Sequence, residues 1–526
     1  MKTKSTLRRT HHGVRAWPTW LVAVAGATLA GCTVGPNFRA PPAPTQSRYL
    51  ASGTLEGTHR VAGAKTGAAQ HFIPGARLQR DWYRLYHSAA LDRLIGQALA
   101  GSPTVQAARH RVAAAREAVN IVYGGRYPSV SLGGGVSRTR ATGAILGLNN
   151  PLFSSTFNLY QAQIAAAYDL DVFGELTRRI ENKQAWQAVA HDQLLDAQAT
   201  LVNNIVVTAL AEAGARTTRT ALQAVVAEQR KTVQLVKQQE HFGTALRSDV
   251  LRAETQLADT ESLIPDYSQQ IAVARHRMAI LTGVAPVDYH GPKFTLADFT
   301  LPSELPLTLP ARLVAQRPDI LAARNTLHAA SAAIGIATAE ELPKIQLTAS
   351  LGDAALKTNA FTGPLAEQFN VGAGLLAPLF EGGKLRAQKR EAVDDYQAAA
   401  ADYRATVLKA FDQVADALRA LDNDTTRLDA RNRGRQAAEA NAQVTQAQFH
   451  AGSADLLSAY LAQVQLTQAE IHYATARLAR LVDTATLMRA LGGGWWPQGA
   501  AAPSTATPRD AAASPDPNTS NRISHS

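Results

Sequence analysis

Four segments of the chain alternate apolar and polar residues with a period of two, which is typical of β-strands that separate two environments. The segments span about 128–140, 157–170, 344–352 and 369–378. In the third segment, Leu347 and Leu351 alternate with Thr348 and Ser350. Alternating stretches of roughly ten residues indicate transmembrane β-strands. Half-buried strands of a soluble sheet are the alternative that this pattern leaves open.

Two long stretches without proline predict helices of unusual length, at about 176–240 and 384–449. Leu194, Leu201 and Ile205 recur at intervals of seven and four, which is coiled-coil spacing. At about 1.5 Å per residue, a helix of roughly 65 residues is about 100 Å long. This length far exceeds that of a usual globular helix and predicts two rods.

Each long stretch ends at a glycine, Gly243 or Gly452, where we expect a tight turn. Shorter helices then return over about 246–282 and 455–490. A return helix covers only about half of the long helix. An Ala-rich helix stacked end to end with it would fill the remaining length, and two such stretches occur at about 103–123 and 318–341.

The two halves of the chain resemble each other in sequence. Pro103 and Arg109 match Pro318 and Arg324 at an offset of about 215 residues, which later contracts to about 209. We interpret this as an internal duplication. One repeat is expected over 81–290 and the other over 291–496.

The N-terminus has the pattern of a secretory signal that ends at a lipidation site. A basic start and an apolar run precede Leu29-Ala30-Gly31-Cys32, which is similar to the bacterial lipobox. Residues 1–31 are therefore expected to be removed and Cys32 to be acylated. Acyl chains anchor a protein because each buried methylene contributes about 0.8 kcal/mol. An ordinary secretory signal with a chance cysteine is the alternative.

Two further segments have few large apolar residues. Residues 32–80 are expected to form an acylated, extended linker, with four prolines between 36 and 44 and an unstructured part at about 50–70. The tail over 497–526 is rich in Ala, Pro, Ser and Asn, so we expect it to be disordered.

Composition narrows the functional classes. The 526 residues carry a net charge of +11, and five cations lie in the expected signal peptide, so that +6 remains on the mature chain. The remaining Lys and Arg form no compact basic block, which argues against nucleic-acid binding. Cys32 is the sole cysteine, which excludes an internal disulfide and a cysteine-based metal cluster. No run of 18 apolar residues follows it, so a membrane span has to consist of β-strands.

Four strands are too few to close a water-filled barrel, because about eight strands leave an interior only wide enough for side chains. Three copies would supply twelve strands and a continuous tube of helices. The predicted fold is therefore mostly α, with a long α-helical barrel and four strands per protomer of a 12-stranded trimeric β-barrel.

Four short motifs occur in a characteristic order: Cys32–Phe38, Leu91–Ile95, Asp169–Gly174 and Leu491–Trp496. The pattern resembles the TolC-like outer membrane efflux channels (outer membrane factors), specifically the lipoprotein branch typified by OprM and NodT. The resemblance covers nearly the whole mature chain. It implies a homotrimer that is barrel-inserted and lipid-anchored in the outer membrane, with its helical part in the periplasm.

The same resemblance implies a passive duct for drugs or toxic small molecules. The partners it implies are a periplasmic adaptor (membrane fusion) protein and an inner-membrane pump, often of the resistance-nodulation-division type. No catalytic residue, metal or cofactor is expected besides the lipid on Cys32.

The resemblance also places a gate at the periplasmic tip, near Gly243 and Gly452. Lipoprotein members of the family carry a leucine five residues, and an aspartate nine residues, beyond the second glycine. The leucine matches Leu457, but Leu461 occupies the aspartate position. We interpret the closed tip as apolar, with leucine rings that gate by dewetting. Simple packing of both leucines between helices is the alternative.

A second departure concerns contacts between neighbouring tips. Ser248 and Asp249 occupy positions where TolC has a bonding Thr-Asp pair, but Phe449 and Ala454 replace the Tyr and Arg partners. Asp249 therefore needs another partner. The candidates are Arg247, Arg252 and His450.

Asp169 and Asp171 form the acidic pair that could suggest a metal or catalytic site. They lie at a strand end, where a helix is expected to start, so we interpret them as carboxylates near a helix N-terminus. No nucleophile, phosphate-loop or metal-ligand motif occurs elsewhere, and the chain is not predicted to be an enzyme.

Two other functions stay open at the level of sequence. An outer membrane duct for type I protein secretion has the same elements. A coiled-coil envelope lipoprotein without a channel explains the long helices, but it gives no reason for four alternating segments.

Overall fold

A computed structural model describes residues 33–495, except 43, 52, 54–55, 65, 142–154 and 362. The expected signal peptide, Cys32 and the tail over 497–526 lie outside the described residues. The described helices are α1 Ala89–Gly101, α2 Pro103–Tyr123, α3 Glu175–His241, α4 Arg247–Thr282, α5 Pro310–Gln316, α6 Pro318–Glu340, α7 Lys384–His450 and α8 Leu456–Ala490. The described strands are β1 Gly57–Thr58, β2 Gln70–Pro74, β3 Ser129–Ala141, β4 Ser155–Leu170, β5 Glu304–Leu307, β6 Lys344–Ala355 and β7 Glu367–Leu376.

The two long helices, α3 and α7, each contain 67 residues. Their ends differ from the expected ranges by at most one residue. α4 returns along α3, and α8 returns along α7. Lys237 Nζ lies 2.7 Å from Glu254 Oε1 across the first hairpin, and Arg435 Nη1 lies 3.3 Å from Glu470 Oε1 across the second. The first pair is exposed and contributes little stability, and the second is half-buried, so the hairpins depend mainly on apolar packing.

The shorter helices continue the return helices end to end. At the first junction, Gly283 follows α4 with a φ of 83°, and a β-carbon there would lie 2.5 Å from the carbonyl oxygen of Gly101. At the second, Arg317 precedes α6 and donates from Nη1 to the carbonyl oxygen of Ala490, the last residue of α8, at 2.8 Å. Each return path is therefore made of two helices, as the spacing predicts.

The four alternating segments form one antiparallel sheet in the order β3-β4-β6-β7. The register places Leu132, Ile164, Leu351 and Phe369 side by side on one face, where they are 55–80% exposed. A row of the opposite face consists of Ser131, Ala165, Ser350 and Asn370. The alternation thus produces one apolar face that no described element covers.

The main core lies around the middle of α3, where α1, α8 and the chain after α4 converge. Ile205, Leu210, Tyr86 and Leu481 are fully buried there. Tyr86 Oη donates to the carbonyl oxygen of Leu481 at 2.8 Å, which satisfies the one polar atom of that side chain.

α3 also contains an 18-residue window whose mean hydropathy, 1.3, is high enough for a membrane span. Half of that window is buried inside the fold. The core helix of a soluble protein passes the same test, so this window is weak evidence for a span.

A short segment that we call the belt, residues 56–64 and 66–75, crosses α7 and α8. β1 pairs with β2, and β2 pairs in parallel with β5. Arg480 of α8 is fully buried and holds the belt with three hydrogen bonds of 2.8 Å, to the carbonyl oxygens of Thr66 and Ala68 and to Thr58 Oγ1.

Within the linker expected over 32–80, the belt corrects the expectation of an unstructured part at about 50–70. Val61 and Thr66 are only 2% exposed. Composition was misleading, because the carbonyl groups of this Gly- and Thr-rich segment are satisfied by a guanidinium more than 400 positions away in the chain.

Candidate functional site

Gly243 and Gly452 form the two turns at which the long helices end. Their φ values are 72° and 73°, in the left-handed region that favours glycine. In the first turn, Thr244 N donates to the carbonyl oxygen of Gln239 at 2.8 Å, and the equivalent bond of the second turn measures 2.9 Å. These are the six-to-one bonds of Schellman motifs, so both tips have the same backbone geometry.

Near the turns, the two hairpins meet in an apolar cluster that we call the tip cluster. It consists of Val236 of α3, Val250 of α4, Phe449 of α7 and Ala459 of α8, all at most 7% exposed. Phe449 occupies the position of the tyrosine that bonds in TolC. Here the hairpins are joined by apolar packing at that position.

Asp249 binds within the first turn of α4. Its Oδ2 accepts a hydrogen bond from Leu246 N at 3.1 Å, and Arg252 Nη1 lies 3.3 Å from Oδ1. Arg252 is therefore the partner that the sequence could not select among three candidates. Ser248 is exposed beside it. The other two candidates are directed elsewhere, Arg247 to Glu240 at 3.6 Å and His450 to Gln446 at 3.0 Å.

Leu457 and Leu461 lie on the first turns of α8 and are 43% and 50% exposed. Asp455 begins this helix by accepting a hydrogen bond from Ser458 N at 2.9 Å, and that contact holds the pKa of the Asp455 carboxyl below its usual range. Residues four apart share a helix face. Both leucines therefore point the same way and are free to line a passage or to contact another copy.

The segment immediately after the expected lipidation site docks onto the start of α3. Arg178 is 3% exposed and donates to the carbonyl oxygens of Val34 (3.0 Å) and Gly35 (3.2 Å) and to Asn37 Oδ1 (2.8 Å). Val34 N donates to the carbonyl oxygen of Phe173, at the junction between β4 and α3, at 3.1 Å. We call residues 33–38 with these partners the N-terminal clamp.

A second contact completes the N-terminal clamp. Phe38 stacks on His328 of α6, with ring centroids 4.4 Å apart, and His328 Nε2 lies 2.8 Å from Glu181 Oε1. Burial opposes ionisation of Glu181, but hydrogen bonds from Arg178 and His328 outweigh it and lower its pKa. The N-terminal clamp therefore fixes residues 33–38 beside the end of β4 and the start of α3.

The acidic pair at the end of β4 is structural. Asp171 Oδ1 accepts from Leu176 N at 2.8 Å and Oδ2 from Thr177 N at 2.9 Å, which caps α3. Asp169 Oδ1 accepts from Gln346 Nε2 at 2.9 Å. Within the residues that the structure describes, no three His, Cys, Asp or Glu side chains come together as metal ligands.

Sequence reasoning missed an acidic pair between α7 and α8, in which Asp424 is buried and Asp483 half-buried. Asp424 is 1% exposed and faces Asp483, with Arg427 Nη2 at 3.4 Å and Arg480 nearby. Burial, together with the neighbouring carboxylate of Asp483, raises the pKa of Asp424 to about 7. No motif or spacing links the two residues, so only their proximity in the fold reveals the pair.

Comparison with known proteins places this geometry in context. A family model described as outer membrane efflux protein matches residues 94–284 and 309–493. Nodulation protein T of Rhizobium leguminosarum bv. viciae is 27% identical over 512 residues, which is 96% of this chain and 98% of the relative. The solvent efflux pump outer membrane protein SrpC of Pseudomonas putida is 25% identical over 89% of this chain and 96% of its own.

Solved structures agree with these relatives in fold. The outer-membrane channel OprN superposes with a TM-score of 0.78 at 27% identity, covering 89% of this chain and 100% of that channel. The long hairpins and the four-stranded sheet described above are therefore the architecture of a known channel fold.

Proposed function

Because the chain belongs to the outer membrane efflux protein family, we propose that three copies form a passive duct that exports drugs or toxic small molecules. The protein is located in the outer membrane, with its helical part in the periplasm. The duct performs no chemistry. It gives a water-filled path to solutes that an energised partner delivers.

One observation carries this proposal: the sheet has an exposed apolar face and two free edges. Within the described chain, β3 and β7 each have a neighbour on one side only. Unpaired backbone groups are costly in lipid, so a lipid-facing sheet has to close on itself. Pairing β3 of one copy with β7 of the next closes the sheet, and three copies give twelve strands.

The two hairpins support an internal duplication with repeats over 81–290 and 291–496. The family model matches the chain twice, and the turns at Gly243 and Gly452 have the same hydrogen bonds. Six hairpins from three copies would surround one periplasmic tube that continues the barrel.

We assign the gate to the periplasmic tips. The tip cluster is apolar, and Leu461 stands where other lipoprotein members have an acid. Leu457 and Leu461 are exposed in the protomer, so rings of both side chains can narrow the tube and exclude water.

We assign the remaining partners on the same basis. A periplasmic adaptor and an inner-membrane pump, of the resistance-nodulation-division type, would deliver the solute at the tips. Acyl chains on Cys32 would add a second attachment to the membrane, at a point that the N-terminal clamp fixes.

The experiment that tests the duct is single-channel recording of the purified, full-length protein in planar bilayers. We expect heat-modifiable trimers that conduct ions as discrete channels. A particle that contains a single copy and carries no current would refute the proposal.

A further inference from the structure

A cavity of about 310 Å³ lies between the two helical hairpins, set back from the turns. All four helices of the hairpins, α3, α4, α7 and α8, contribute to its wall. The apolar part of the wall includes Val225, Ala253, Ala442, Leu456 and Leu466. A volume of this size is at the lower end of the range of small-molecule sites.

Gln229 is the unusual member of this wall. The residue is 6% exposed, and neither Nε2 nor Oε1 has a hydrogen-bond partner. Its neighbour in the wall, Gln256, is satisfied, because Nε2 donates to Thr260 Oγ1 at 3.1 Å. A buried amide without partners is costly, so Gln229 offers the cavity a donor and an acceptor that a ligand can use.

The charges at the cavity favour a neutral ligand. Arg252 is paired with Asp249 at 3.3 Å, and Glu228 is paired with Lys231 at 2.8 Å. The other polar side chains of the wall are uncharged, namely Thr232, Gln256, Gln443, Gln446, Tyr460 and Gln463. An ionic ligand would lose its hydration here without gaining a counter-charge that is not already engaged.

We propose that this cavity is a binding site for a neutral amphiphile, a molecule with a compact apolar body and one amide-like group that bonds with Gln229. The ligand contacts both hairpins at once, and Leu457 forms part of the wall. An occupant therefore restrains the separation of the hairpins, and through it the conduction of the duct. The effect on conduction rests on the proposed function, whereas the binding site does not.

The binding test uses 4-(trifluoromethyl)benzamide as the probe and fluorine NMR of the full-length protein as the readout. Gln229→Leu keeps the size of the side chain and removes its amide, and we expect it to weaken probe binding about tenfold, as the loss of a well-formed hydrogen-bonded contact does. Gln234→Leu, at an exposed position on the same helix, is the matched control and should bind the probe as the wild type does.

A second variant and a second probe distinguish loss of the binding site from misfolding of the Gln229→Leu protein. Ala442→Phe fills part of the cavity and retains the amide of residue 229, and it should also weaken binding about tenfold or more. The anion 4-(trifluoromethyl)benzoate should bind the wild type about tenfold more weakly than the amide. Equal binding of the amide to the wild type, Gln229→Leu and Ala442→Phe, or no binding at all, would show that the probe does not bind in the cavity and would overturn the site.

Single-channel recording then tests the restraint. We expect the probe to lower the current of the wild type and of Gln234→Leu, and to leave the current of Gln229→Leu unchanged. A probe that binds but has no effect on the wild-type current would overturn the restraint. If no variant conducts at all, the proposed duct fails, and the NMR result still decides the site.

Discussion

At the residue scale, charged side chains of α7 and α8 are buried where the belt crosses these two helices. Arg480 lies beneath it, and burial lowers the pKa of that guanidinium to about 10, which still leaves it charged at neutral pH. Asp424 and Asp483 lie beside it, but the hydrogen bonds of Arg480 go to the belt. Arg427, 3.4 Å from Asp424 and largely exposed, does not offset the burial of that carboxyl, so its protonated form is favoured.

Asp424 should make stability depend on pH. The folded pKa of about 7 exceeds the usual value of about 4, so the folded protein retains a proton that the unfolded chain has lost. The stabilising contribution is fully present below about pH 4 and is lost as the pH rises through 7. We expect the thermal midpoint of the wild type to fall by several degrees between pH 5 and pH 8, and that of Asp424→Asn to fall less, because an amide does not ionise.

Asp422→Asn is the control for this experiment. Asp422 lies on the same helix but is exposed. It should retain the wild-type pH dependence. An Asp424→Asn protein whose midpoint falls as steeply as that of the wild type would contradict the assignment.

The leucine gate is the second prediction at this scale. Replacing both side chains, in Leu457→Ala with Leu461→Ala, widens the narrowest ring and admits water, so single-channel current should rise. Leu251→Ala removes an equally exposed leucine from the other hairpin and should leave the current unchanged. If the double variant also conducts like the wild type, the leucines pack between helices and do not gate.

At the scale of elements, the sheet has the clearest division between an apolar face and a polar face. Neighbouring residues of β6 point to opposite faces, so Leu351 belongs to the exposed apolar row and Ser350 to the polar row. The long helices are not divided into one apolar and one polar face in this way, because α3 and α7 contact different partners along their lengths.

Two variants, each with a charged residue on one face of β6, should distinguish the face that contacts lipid from the face that contacts water. Leu351→Arg places a cation in lipid, at a cost of about 2–4 kcal/mol per copy near the bilayer centre, and should lower the amount of heat-modifiable trimer in isolated outer membranes. Ser350→Arg places the same charge in the lumen and should assemble normally with altered ion selectivity. Equal assembly of both variants would contradict the assignment of the apolar face to lipid.

The N-terminal clamp gives a second prediction for an element. Arg178→Met removes three hydrogen bonds to residues 34–37, which weakens docking of this segment by about 2–4 kcal/mol. Trypsin should then release the peptide that ends at Arg39 faster, as followed by mass spectrometry. Arg179→Met is the control, because Arg179 pairs on the exterior with Glu175 and Glu340. Equal release from both variants would show that the clamp does not hold the segment.

At the scale of the whole molecule, the free edges of β3 and β7 favour assembly of several copies into a closed ring. A two-stranded or four-stranded ribbon leaves unpaired backbone groups in lipid, whereas a closed ring of copies leaves none. The hairpins alone would not set this number, since coiled coils assemble in several stoichiometries.

Mixed assembly tests the number of copies directly. Chains with two different affinity tags, produced together in one cell, should yield four tag combinations if three copies close the barrel. Native mass spectrometry of the purified particles measures these species. A dimer or a tetramer would give three or five combinations and would contradict the proposed closure.

Much of the site was accessible from the sequence, for identifiable reasons. Gly243 and Gly452 stood out because a left-handed residue at a helix end is nearly always glycine. Leu457 and Leu461 were reached through the family resemblance, by counting from the second glycine, and their role in gating stays a prediction. The partner of Asp249 did not follow, because Arg252 and Arg247 are both close in sequence and only the direction of each side chain distinguishes them.

The sequence by itself determined the four strands of the large sheet, the long helices and the glycine turns, since each of these depends on residues that are neighbours along the chain. The tertiary structure alone decided the contacts of the belt, the N-terminal clamp, the Asp424 pair and the Gln229 cavity. Each of these joins residues that are far apart in the chain, as Arg480 and Thr66 are. Their meeting depends on how two 67-residue helices align, and a shift of one helical turn would separate every such contact while leaving the sequence pattern unchanged.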